Sequence, residues 1–185
     1  MKIGFIGLGI MGKPMAGHLK AAGHEILVPE RRSLGPEQRA AFAVLPDAKA
    51  VAGAAEQCAP AGVKPIIEPI NHRDIPGFFL NTTDQAAAII EAIGPERLGL
   101  QFDLYHCQIT EGDIVKRVEK HLPLIAHMQV ADNPGRNEPG TGEVNWPFVF
   151  RRIDELGFRG WIGCEYRPKG TTEDGLGWFQ PYRAA

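Results

Sequence analysis

Four side chains able to bind a cation or move a proton each close a short apolar run. Glu68 follows Lys-Pro-Ile-Ile, Asp103 follows Leu-Gly-Leu-Gln-Phe, Gln129 follows Ile-Ala-His-Met, and Glu165 follows Trp-Ile-Gly-Cys. They lie 35, 26 and 36 residues apart, close to the ~30-residue length of a strand–helix–strand unit. Parallel strands at that period deliver their C-terminal ends to one face, where open sheets and barrels hold their ligands. Three carboxyl groups and one amide meeting there form a hard-oxygen pocket suited to a divalent cation. Taken singly, each residue has a plainer reading. Glu68 and Glu165 could be solvated or salt-bridged, Asp103 could cap the next helix, and Gln129 is a weak metal ligand.

The elements needed to position them are legible as alternation. Strands are expected at Lys64–Glu68, Leu98–Asp103, Leu124–Val130 and Gly160–Glu165, with helices over about Thr83–Ile93, Glu111–His121, Pro147–Leu156 and a last short one over Glu173–Trp178. Thr83 with Asp84 marks a helix start, and Gly94 with Pro95 a stop. Strands apolar throughout, separated by amphipathic helices, argue for a parallel sheet covered by helices. The loops Asn71–Asn81 and Ala131–Asn145 are long and polar, and loops of that kind are usually functional or mobile.

Nearer the N-terminus, Lys2–Gly7, about Ile10–Ala22 and Glu25–Val28 read as strand, helix and strand. The Ala-rich stretches Gln38–Ala43 and Asp47–Cys58 read as two helical pieces split by Pro46, because alanine favours helix and an internal proline interrupts it.

The chain has 185 residues and a net charge of −2, with no long block of Lys or Arg. That excludes the basic footprint of a nucleic-acid binder. Three scattered cysteines, Cys58, Cys107 and Cys164, make no disulfide framework or zinc pattern, so a reduced cytoplasmic setting is expected. Cys107 and Cys164 lack an activating partner and are not expected to be nucleophiles. Trp146, Trp161 and Trp178 read as packing residues. Glycines interrupt the apolar N-terminus, which argues against a secretory signal, and no apolar run approaches the ~20 residues of a membrane span.

Gly7-Leu-Gly9-Ile-Met-Gly12 fits the dinucleotide fingerprint between a strand and a helix. Its glycines would permit a tight turn, approach of a pyrophosphate and close helix packing. The wider run Gly4 to His24 resembles the opening of the 3-hydroxyisobutyrate dehydrogenase family, which includes tartronate semialdehyde reductases. The resemblance covers about 28 residues, with His18 in place of the asparagine of that signature. Nothing later resembles the second mononucleotide half that a whole dinucleotide site needs. A structural strand–helix–strand unit is therefore expected, and a working NAD(P) site is not.

From about Asp47 onward the chain resembles the hydroxypyruvate isomerases, within the xylose-isomerase-like TIM barrels. The runs that carry the likeness are Ile67-Glu68-Pro-Ile-Asn71, Gln101-Phe-Asp103-Leu-Tyr-His106, His127 to Glu143, and Gly163-Cys-Glu165-Tyr-Arg-Pro168. The resemblance implies interconversion of hydroxypyruvate and tartronate semialdehyde, with Glu68 and Glu165 as the proton-transferring pair. It also implies a divalent ion, Mg²⁺ or Mn²⁺, among Glu68, Asp103, Gln129 and Glu165. His106, Arg136 and Asn71 become substrate contacts. Such chemistry needs these types: two carboxylates can alternate as base and acid across an enediolate, and an Arg suits a carboxylate substrate.

A complete barrel has eight strands, and the likeness supplies the last four. The expected fold is α/β: residues 35–185 form the C-terminal half of a TIM barrel, strands five to eight. A Rossmann-like unit at 1–34 precedes it, and the whole is open or partly closed and packed as one domain. Exposed sheet edges would allow a homodimer. A reductase, or an inactive chimera that keeps a metal pocket, stands as the alternative.

Overall fold

A computed structural model of the chain describes residues 2–4, 12–29, 36, 43–45 and 64–183. They divide into two compact units, Met1–Ile67 with Glu91–Gly99, and Glu68–Ile90 with Leu100–Ala185.

In the first unit, β1 (Lys2–Gly4), α1 (Gly12–Ala21) and β2 (Glu25–Pro29) form the expected strand–helix–strand, and both strands run parallel to each other. Ile26 and Val28, two residues apart on β2, are buried together, as the two-residue side-chain period of a strand requires. A third parallel strand, β3 (Ala43–Leu45), pairs with β2. Ala43 was expected to end a helix. Parallel pairing outweighs alanine's intrinsic preference here, and Leu45 precedes Pro46, which disfavours helical backbone. The helical reading of Asp47–Cys58 lies outside the described residues, as do residues 38–42.

A second sheet has the order β4-β5-β6-β7. Its strands are β4 (Ile66–Ile67), β5 (Gly99–Asp103), β6 (Ile125–Val130) and β7 (Ile162–Cys164). In the second unit, β5 pairs parallel with β6 and β6 with β7. The register sets Gln101 beside His127, Asp103 beside Gln129, and Gln129 beside Gly163. Residues in register share a face, so one face carries these polar side chains. The opposite face carries Leu100, Phe102, Met128 and Val130, all buried. At Gly163 any Cβ would come within 3.0 Å of His127 Nε2, so the missing side chain leaves room for its neighbours.

The helices are α2 (Thr83–Ile93), α3 (Leu104–Thr110), α4 (Ile114–His121), α5 (Trp146–Glu155) and α6 (Thr172–Gly175), the last continuing as a 3-10 turn over Leu176–Tyr182. Gly94, at φ +112°, follows the end of α2, as the Gly-Pro signal predicts. On α5, Trp146, Val149 and Ile153 form the buried stripe, and Asn145 caps its start by accepting the Phe148 N–H at 3.3 Å. The helix expected over Glu111–His121 is α4, which starts three residues later, and α3 precedes it as an unexpected helix. Gly112 and Asp113, both at positive φ, break the path between them. Among the described residues no helix is long and apolar enough to cross a membrane.

Candidate metal and proton-transfer site

The polar face of the second sheet ends in a cluster of acids. Asp103 closes β5 and caps α3: its Oδ1 accepts the Tyr105 N–H at 2.8 Å and the His106 N–H at 3.4 Å. Its Oδ2 is buried and has no hydrogen-bond partner, and the same is true of Glu68 Oε1. Capping and ligation therefore use different oxygens of one carboxylate. One oxygen each from Glu68, Asp103 and Glu165, with a ring nitrogen of His106, all lie within 4.8 Å of one another.

Three acids so close repel one another. Burial, and then the Asp103 and Glu165 charges, push the Glu68 carboxyl well above its usual range. Burial, and then Glu165, push Asp103 up to about 7. Burial and the Arg136 charge bring His106 down to about 3, so the ring is neutral. Buried oxygens without donors, crowded by like charges, fit a hard divalent cation. Glu68, Asp103 and Glu165 could hold it.

Gln129 stands beside Asp103 on the sheet, and its Oε1 accepts from Gln101 Nε2. Gln101 also stands near enough to Glu68 to favour its charged form slightly. It was absent from the expected site, although its place two residues before Asp103 puts it on the same strand face. His127, half-buried beside it, shares that signal.

Arg136 comes from the long loop after β6. Asp132 shapes that loop by accepting the N–H groups of Gly140 at 2.8 Å, Gly142 at 2.9 Å and Val144 at 3.2 Å. Arg136 itself adopts positive φ, +56°. Its Nη2 lies 3.1 Å from Glu165 Oε2 and its Nη1 3.7 Å from Asp74 Oδ2, while the guanidinium rests 5.0 Å above the Tyr105 ring. The Tyr105 hydroxyl donates to Asp74 Oδ2 at 2.9 Å and accepts from Arg73 Nη2 at 3.2 Å. No local spacing signals these contacts, because their partners stand 29 or more positions away.

Asn71 is fully buried behind His106, with both ends of its amide engaged by the protein. Burial pushes the Cys107 thiol up, and the Glu111 charge adds to it, which leaves the sulfur unreactive. Trp146 is buried and Trp178 stacks with Phe150, but Trp161 is 85% exposed and packs on little. Of the glycine fingerprint, Gly12 opens α1, and Gly7 and Gly9 lie outside the described residues.

Residues 16–182 match the family model described as a xylose isomerase-like TIM barrel. The 2-oxo-tetronate isomerase of Cupriavidus necator is 50% identical over 132 residues, which is 71% of this chain and 51% of that protein. The hydroxypyruvate isomerase of Escherichia coli K12 is 49% identical over 118 residues, 64% of this chain and 46% of that one. A crystal structure described as an AP endonuclease, family 2, from Brucella melitensis superposes with a TM-score of 0.69 at 28% identity, covering 99% of this chain and 88% of its own. The chain thus spans about half the length of the curated relatives it matches. The dehydrogenase-like character of the first 28 residues rests on the sequence alone.

Proposed function

This chain belongs to the xylose isomerase-like TIM-barrel family, and from that premise we propose that it isomerises a small α-hydroxy carbonyl acid, with hydroxypyruvate and tartronate semialdehyde as the pair. The observation that carries the reading is the meeting of Glu68, Asp103, Glu165 and His106 within 4.8 Å.

Glu68 or Glu165, as carboxylate, takes a proton from C3 of hydroxypyruvate. The C–H electron pair becomes the C2–C3 double bond of an enediolate. The other glutamate, as acid, returns a proton to C2, and one proton passes from the C3 oxygen to the C2 oxygen. The product is an isomer, so no oxidant or reductant is needed. A carboxyl that burial raises well above its usual range makes Glu68 a better base than an exposed carboxylate. Arg136, already 3.1 Å from Glu165, is the cation placed to hold the substrate carboxylate. A divalent ion held by Glu68, Asp103 and Glu165, with Gln129 beside them, would stabilise the negative charge of the enediolate. An all-oxygen set favours Mg²⁺ or Mn²⁺.

The test is exchange of the C3 protons of hydroxypyruvate in D2O, followed by NMR with Mg²⁺ present and after EDTA. Wild type should exchange and isomerise, while Glu68→Gln and Glu165→Gln should not. Equal exchange in all three proteins refutes the assignment. Because the chain spans half of its relatives' length, a second reading stands: a metal-binding protein without turnover. Calorimetry showing Mg²⁺ uptake with no exchange selects it. Pairing with a second copy belongs to either reading, and light scattering measures it.

A further inference from the structure

We propose that Asn71 is a positioning residue that holds His106 as the tautomer protonated at Nε2, so that the ring turns an N–H toward the acidic cluster and stays out of the cation's ligand set. The Asp74 N–H donates to Asn71 Oδ1 at 2.7 Å, which settles which end of the amide is oxygen. Asn71 Nδ2 then lies 2.6 Å from His106 Nδ1, and the main-chain N–H of Asn71 donates to the same ring nitrogen at 3.3 Å. A main-chain N–H cannot accept. His106 Nδ1 must therefore offer its lone pair, and in a neutral imidazole the proton then sits on Nε2.

That nitrogen faces the site, 3.9 Å from Glu68 Oε1 and 3.8 Å from Asp103 Oδ2. A protonated Nε2 has no lone pair for a metal. Although the ring lies within reach of the acids, the ligand set becomes oxygen only. Under the isomerase reading, on which this consequence rests, Nε2–H holds the substrate oxygen whose charge changes as the carbonyl migrates. Asn71 was expected to touch substrate directly. Its complete burial and committed amide place its influence one step behind, through His106.

The experiment is long-range ¹H–¹⁵N NMR of the full chain labelled at histidine, at neutral pH, with and without MgCl2. The expected pattern for His106 is a pyridine-type Nδ1 and a pyrrole-type Nε2 that keeps its proton when Mg²⁺ is added. A pyridine-type Nε2 in either sample overturns the proposal. In Asn71→Asp an acceptor replaces the nearer donor and opposes the remaining main-chain N–H, so the share of His106 protonated at Nε2 should fall. A folded Asn71→Asp protein with the wild-type pattern would show that Asn71 does not set the tautomer. Neither result needs turnover. An inactive chain with the expected pattern rejects the isomerase reading alone, and an active chain with the reverse pattern rejects this one alone.

Discussion

Glu111 and Asp103 are both carboxylates at helix ends, and both side chains are almost sealed from water, at 5% and 0% exposure. Their surroundings differ completely. Glu111 accepts the Thr83 N–H at 2.8 Å and the Thr83 hydroxyl at 3.0 Å, and Arg117 Nη1 lies 2.9 Å away. Its charge therefore serves the free amino end of α2 and an arginine at once. Asp103 spends one oxygen on the cap of α3 and leaves the other without a donor, among two further acids. Arg136 pairs with Glu165, but a buried oxygen without a donor is costly, and Glu68 and Asp103 each keep one. The first region is closed on itself, and the second leaves two buried acceptor oxygens open.

The widest gap between the regions should appear in turnover. Glu68→Gln and Glu165→Gln should each lower isomerisation by roughly 10²–10⁴-fold, the range of a lost general acid or base, while Glu111→Gln leaves the rate of the folded protein unchanged. Progress curves by NMR measure both. Glu68→Gln should also raise the melting temperature measured without divalent cation, because it removes one of the mutually repelling charges. A rise at Glu111→Gln, or a fall at Glu68→Gln, would break the comparison.

Next in size is the response to a cation. At a hundredfold excess over its dissociation constant, Mg²⁺ should stabilise by ~2.7 kcal/mol, read as a thermal shift that EDTA reverses. The sign of its pH dependence follows from the raised carboxyls. Burial and Glu165 hold Asp103 up to about 7, and Glu68 is raised too. Between the ordinary carboxylate range, roughly 4, and neutrality, the folded chain thus binds more protons than the unfolded one. Without cation, stability falls as pH rises through that window and levels off above it. A cation competes with those protons, so its thermal shift should be larger at pH 8 than at pH 5. Equal shifts at both would place the ion elsewhere.

Much of this contrast was open to a reading of residues in order. Glu68, Asp103 and Glu165 announced themselves as acids ending apolar runs at a strand–helix–strand period, and the structure gathers all three. Thr83-Asp84 and Gly94-Pro95 bracket α2 as they should. What stayed hidden is whatever depends on contact across the chain. Glu111 reads locally as the start of a helix, yet its work is at the end of another helix 28 residues away. The seven-residue α3 escaped notice because it begins directly at the strand end, with no loop to mark it. At β3, composition suggested helix, and only the presence of β2 alongside could say otherwise. Gln101 lies two residues before Asp103 and so on the same strand face, but an amide carries no charge to mark it as a site residue.

The closed region can be tested by opening it from the inside outward. Glu111→Ala leaves the Thr83 N–H and hydroxyl without their acceptor, and should cost ~1–3 kcal/mol, the penalty of stranded polar groups. Urea denaturation should show a lower midpoint at constant slope, and Mg²⁺ affinity should not change. Asp84, at the rim of the same network, should matter least. Lys120 Nζ lies 2.6 Å from it and Arg117 Nη1 3.1 Å, but the side chain is half exposed. The Lys120 hydrogen bond lowers its carboxyl to about 2, so the pairing contributes fully above roughly pH 4 and is lost as pH falls through about 2. Solvent screening limits that contribution to ~0.2–1 kcal/mol. A double-mutant cycle of Asp84→Asn with Lys120→Met should give a coupling within that range, shrinking further in roughly 0.5 M salt. A coupling as large as the Glu111 effect, and insensitive to salt, would mean that the network is buried to its edge and that exposure does not grade it.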